Sequence, residues 1–180
     1  MDPDDPSLYT ADEQHDVAVD LAHFGRLARY VLEQERVDPL VEMSLIFVDE
    51  TTIAQYNERF LGQDGPTDVL AFPIDEEARP SGRHPDNGGR GPGAPNDDDE
   101  IPTLLGDVLV CPAYAQREAV SRGIAVDDEL SLLVVHGTLH LLGFDHAEDG
   151  ERAAMQAREA TLLAGFAATV VGHVEAVESS

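Results

Sequence analysis

Apolar residues recur at helical spacing from Asp16 to Arg36, where Val19, Phe24, Leu27, Ala28, Val31 and Leu32 share one face. This predicts an amphipathic helix, which Pro39 prevents from continuing. Met43–Val48 is a nearly continuous apolar run of strand length, the mark of a largely buried strand. Asp49 or Thr51 is placed to cap a following helix with Ile53, Tyr56 and Phe60 on its core face. Gly62 to Thr67 reads as a turn, and Val69–Phe72 and Leu105–Cys111 as two further strands. Pro112 suits the first turn of a helix that runs to Arg122 and stops at Gly123. Asp127 and Asp128 are candidate caps for a helix over Glu129–Leu142 that is apolar nearly all round and therefore belongs in the core. A last helix is predicted over Glu148–Leu163, with Met155, Leu162 and Leu163 facing inward.

Three segments lack such periodicity. Residues 1–14 are polar and Pro-rich and read as a loose lead-in, and residues 166–180 read as an irregular tail. Ala78–Glu100 holds five Gly and four Pro and ends in an acidic run, so it is expected to be a disordered surface insertion in the 15–165 domain. At 180 residues and 42% hydrophobic, the chain suits one domain with a sizeable core. No apolar run is long enough to span a bilayer, the N-terminus lacks a signal-peptide pattern, and the single Cys111 fits a reducing compartment, so a soluble cytoplasmic protein is expected.

Charge complicates the picture. The net charge is −25 and all 11 basic residues are arginine. A chain this acidic is repelled by phosphate backbones unless a local basic patch or a bound cation offsets the field, so composition alone argues against nucleic acid.

The chemistry is concentrated in His136-Gly-Thr-Leu-His140-Leu-Leu-Gly143-Phe-Asp145-His146. Residues four apart on a helix lie one turn above each other, so His136 and His140 share a face. Gly143 can take the left-handed conformation that ends a helix and turns His146 back toward them. Three imidazoles with an open fourth position make a catalytic rather than a structural zinc site. A lone histidine is more often structural or exposed, the reading given to His15, His23, His84 and His173. Two imidazoles on an apolar helix each carry a desolvation cost that a shared metal relieves. The spacing matches the metzincin pattern H-E-x-x-H-x-x-G-x-x-H, but Gly137 stands where those proteases place their general-base glutamate. A base must then come from elsewhere. Asp145 and Asp149 are the nearby carboxylates, and Asp145 serves equally well as a partner orienting an imidazole.

The eleven-residue segment resembles the H-G-x-L-H-L-x-G-[YF]-D-H signature of the YbeY family, bacterial metal-dependent endoribonucleases of ribosomal RNA maturation. Asp64-Gly-Pro66-Thr-Asp68-Val-Leu-Ala-Phe72-Pro resembles the family's D-x-P-T-[DN]-V-L-S-F-P block, and Leu104-Leu-Gly-Asp107-Val-Leu-Val its L-L-G-D-[IL]-V-[IL] strand. The resemblance extends from about Asp16 to Gly165. It implies a compact single-domain α+β fold, a mixed sheet of about four strands surrounded by helices with the metal helix in the core. It also implies one zinc ion on His136, His140 and His146, and single-stranded ribosomal RNA as substrate. The expected roles are 16S 3′-end maturation and ribosome quality control, on ribosomal particles and with a ribosomal protein or assembly factor as a possible partner.

One departure matters. Many members carry Arg three positions before the conserved Asp and a basic residue just before it; here these are Leu61 and Gln63, and Arg59 is not a motif match. Asp68 is either a polar group at the site mouth or a local turn former. Asp107 reads as a strand residue, Cys111 as a small hydrophobe, and no catalytic base is assigned. Two alternatives stay open: a zinc protease or amidase, and a non-catalytic ribosome-assembly factor with a structural metal.

Overall fold

The computed structural model describes residues 8–74, 103–145 and 148–178. Its elements are β1 (Leu8–Asp12), α1 (Leu21–Gln34), β2 (Val41–Phe47), α2 (Glu50–Tyr56) continued by a π-helical turn (Asn57–Leu61), β3 (Val69–Pro73), β4 (Thr103–Val110), α3 (Pro112–Arg122), α4 (Val126–Leu141) and α5 (Asp149–Glu178). The strands form one sheet in the order β1-β2-β4-β3, with β1, β2 and β4 parallel and β3 antiparallel to β4. This is the expected α+β architecture with a mixed four-stranded sheet.

Helix α4 is the hub. It packs on α1, α3 and α5 and against β3 and β4, and Leu130, Leu133, Val134, Val135, Leu139 and Leu141 are all buried. The alternation of strand side chains divides the core in two. Met43, Leu45, Phe47, Val108 and Val110 face α4, while Leu70, Leu109 and Cys111 join Val48 and Ile53 beneath α2 on the other side. Burial pushes the Cys111 thiol up, which keeps it protonated and inert.

Local chemistry sets the element ends. Asp49 caps α2 by accepting from the Thr52 N–H at 2.7 Å, and Gly123 ends α3 at φ 67°. In β4 the register against β2 skips Leu105, and Gly106 takes φ 142° at that irregularity. A Cβ there would lie 2.1 Å from the Phe72 carbonyl oxygen, which explains the glycine in the Leu-Leu-Gly-Asp segment.

Four expectations are corrected. The lead-in contains β1, a half-exposed edge strand whose alternation is too short and polar to stand out in the sequence. The connection after β1 is held by buried Gln14, whose amide nitrogen donates to Asp12 Oδ1 and the Val17 carbonyl, both at 2.8 Å. The tail is helical: α5 runs past Gly165, with Phe166 buried and a Gly165 Cβ position only 2.2 Å from the Tyr30 hydroxyl of α1. The N-cap of α4 is Ala125; Asp127 and Asp128 lie inside its first turn, where the positive end of the helix dipole stabilises their charge. Tyr56 and Phe60 do not face the core and are 38% and 53% exposed. The 78–100 insertion lies outside the described residues. Among those residues, no helix is long and apolar enough to cross a membrane.

Candidate metal centre

Glu129, Leu132, Leu133, His136, Gly137 and His140 line one wall of a cavity of about 860 Å³ that opens beside α4. They recur at the three- and four-residue spacing of a single helix face. Asp68, just before edge strand β3, and Val69 and Ala71 within it also line the cavity, as do Arg122 of α3 and Arg152 and Glu159 of α5.

The two histidines converge as their spacing predicts. Their Nε2 atoms are 3.1 Å apart and their rings meet nearly edge to face, at 74°. Two nitrogens each 2.0–2.1 Å from one tetrahedral ion are about 3.3 Å apart, so the pair fits two of the positions around a zinc ion. His136 Nδ1 lies 2.7 Å from Glu159 Oε1. A carboxylate accepts, so Nδ1 carries the proton and the Nε2 lone pair points into the cavity. Among the described residues no third His, Cys, Asp or Glu completes a cluster. His146 lies outside the described residues. The left-handed turn that leads to it is present, with Gly143 at φ 93°.

Glu159 is the residue the sequence reading missed. It lies in α5, 23 positions from His136, and no spacing rule connects two separate helices. Its only signal is an acidic residue on the inward face of α5, near Met155 and Leu162. It performs for His136 the orienting role considered for Asp145, which is exposed just after the helix. Asp149 is also exposed and lies 3.9 Å from Arg152.

Asp68 fits both of its readings. It lines the cavity, and its Oδ1 accepts from the Val69 N–H at 2.8 Å and from the Thr67 hydroxyl at 3.1 Å. Asp107 is exposed on β4 away from this cavity. Arg122 pairs with buried Glu129, whose second carboxylate oxygen has no hydrogen-bond partner among the described residues. The lining therefore carries Asp68, Glu118, Glu129 and Glu159 against Arg122 and Arg152, a formal charge of −2 with the histidines neutral. One divalent cation would cancel it.

Gly137 has a steric reason. A Cβ at this position would lie 2.6 Å from Val108 Cγ1 and 3.2 Å from Val69 Cγ2, because α4 lies directly on β3 and β4 there. The metzincin glutamate has no room at this position, so any base must come from another residue.

The geometry has counterparts in known proteins. The family model described as endoribonuclease YbeY matches residues 9–167. Proteins named endoribonuclease YbeY from Thermobifida fusca and Beutenbergia cavernae are 44% and 46% identical over 150 and 152 residues, covering 83% and 84% of this chain and 88% and 92% of their own. A solution structure of a Thermotoga maritima protein superposes with a TM-score of 0.58 at 25% identity, over 92% of this chain and 93% of the other. With three matching sequence blocks, the converged histidine pair and a family match spanning nearly every described element, the chain belongs to the YbeY endoribonuclease family.

Proposed function

We propose that this protein is a hydrolytic, metal-dependent endoribonuclease that cuts single-stranded RNA during ribosomal RNA processing. The observation that carries the reading is the pair of Nε2 atoms 3.1 Å apart, one oriented by Glu159, on the wall of a cavity open to solvent. The family to which the chain belongs supports RNA as the substrate. His136, His140 and, from the sequence motif, His146 would hold one zinc ion. A divalent cation there would act as a Lewis acid toward a phosphodiester and cancel the −2 charge of the lining. The chain's own residues orient His136 through Glu159 and place the Arg152 side chain at the cavity wall, beside the Arg122–Glu129 pair.

The finer assignment is 16S 3′-end maturation and ribosome quality control in the cytoplasm, on ribosomal particles. A net charge of −25 supports delegation of part of the recognition to a ribosomal protein or assembly factor. The deciding experiment measures the metal content of the purified protein, then compares cleavage of labelled RNA and of a casein-like protein with and without chelator. Chelator-sensitive RNA cleavage with intact casein is expected; casein cleavage would restore the protease. Cleavage of ribosomal particles should exceed that of naked RNA, and equal rates would remove the need for a delegated partner.

Glu159 gives a sharper check. Carboxylates that accept from the far nitrogen of a ligating histidine contribute about 10- to 100-fold to metal affinity or activity. Glu159→Ala should weaken zinc binding by that factor in a competition titration. Glu159→Gln, which can still accept from Nδ1, should lose less. Unchanged affinity in both variants would reduce Glu159 to a packing residue.

A further inference from the structure

An aromatic ledge lies next to Leu61, which lines the cavity, and the chemistry described so far does not use it. Tyr56 and Phe60 stack at 5.8 Å with their planes 16° apart. Phe72 of β3 closes the group, 6.0 Å from Tyr56 and 5.1 Å from Phe60. The Arg59 guanidinium carbon lies 5.2 Å from the Phe60 ring centre.

The local fold builds this arrangement. The π-helical turn Asn57–Leu61 widens the end of α2 and carries Arg59, Phe60 and Leu61 outward. Asn57, buried beneath it, donates from its side-chain nitrogen to the Gly65 carbonyl at 2.9 Å and ties the turn to the loop before β3. The ledge lies on the α2 side of the sheet, across edge strand β3 from the histidines, and Leu61 joins it to the cavity. Val69 and Ala71 of edge strand β3 face the histidines, Phe72 faces the ledge, and Leu61, 55% exposed, lines the cavity rim beside them.

We propose that this ledge is a stacking platform for an unpaired base of the RNA strand whose phosphodiester enters the cavity; this rests on the endoribonuclease reading. Aromatic faces flanked by arginine are how proteins hold single-stranded nucleic acid without reading its sequence. An aliphatic docking face would need neither flat, parallel rings nor the cation. Stacking also needs no net positive charge, which suits a chain that carries −25 and has Leu61 in place of a basic residue. The platform requires a single strand, since paired bases are already stacked on one another.

The test measures binding and cleavage separately. Binding of a fluorescent unstructured RNA oligonucleotide to the metal-loaded full chain should weaken about tenfold in Phe60→Ala, with duplex RNA binding unchanged. Phe60→Leu, which keeps apolar bulk without a flat ring, should lose nearly as much at an unaltered Tm. In cleavage assays the loss should fall on KM with kcat retained, because stacking is the same before and during the reaction. One abasic nucleotide, scanned along the oligonucleotide, should at one position weaken wild-type binding about tenfold and Phe60→Ala binding little further. Unchanged single-strand affinity in both Phe60 variants overturns the platform, and if ribosomal-particle binding is lost instead, the ledge docks a protein. A wild-type chain that binds RNA through Phe60 without cutting it would overturn the endoribonuclease reading and leave the platform standing.

Discussion

His140→Ala is expected to lower RNA cleavage by at least about 10³-fold, to deplete bound metal, and to leave a cooperative unfolding transition. A metal ion contributes several kcal/mol of charge stabilisation at a phosphoryl group, and about 4 kcal/mol corresponds to that factor. The helix should tolerate the change. His140 is only partly buried, beside the cavity, and alanine is the best helix former. The buried positions of α4 that hold it in place, Leu139 and Leu141 among them, are untouched. Metal analysis, cleavage rate and a thermal melt in chelator separate the possible outcomes. Unfolding on loss of His140 would make the metal a fold element and support the non-catalytic alternative. Full activity would remove His140 from the site.

How far the sequence could be read followed from the range of the interactions involved. The His136–His140 pair lies within one helix, so a four-residue spacing placed both imidazoles correctly. The α3 boundaries were equally local, set by Pro112 at the start and left-handed Gly123 at the end. The antiparallel pairing of β3 with β4, and the β3-edge position that opens the cavity, depend on long-range packing; for these the family resemblance carried the fold expectation. Glu159 was invisible because it meets His136 across two helices. Tyr56 and Phe60 were misassigned for a different reason: the helical spacing of Ile53, Tyr56 and Phe60 suggested one core face, but α2 buries only Ile53 and the wide turn after it carries Phe60 outward. β1 was missed because a five-residue edge strand with one side toward solvent carries little alternation.

Gly137→Glu, the change that would restore the metzincin motif, is expected to abolish folding before it can supply a base. The new side chain would start 2.6 Å from Val108 Cγ1, a fully buried β-branched residue with little χ1 freedom. Both it and a carboxylate would have to be accommodated between α4 and the sheet. Gly137→Ala isolates the steric part. Overpacking a filled core costs about 1–3 kcal/mol, partly offset by the roughly 1 kcal/mol that alanine gains over glycine within a helix. A net loss of up to about 2 kcal/mol is therefore expected in denaturant melts. Val108→Ala removes the opposing methyl groups, so the double variant should lose less than the two singles together by about 1 kcal/mol, the coupling of directly touching residues. Strict additivity would show that the contact is not what requires glycine. The coupling matters for chemistry because Gly137 directly follows His136. The close approach of helix to sheet at this residue sets the depth at which both imidazoles enter the cavity, so Gly137→Ala should also reduce zinc affinity at temperatures where the variant remains folded.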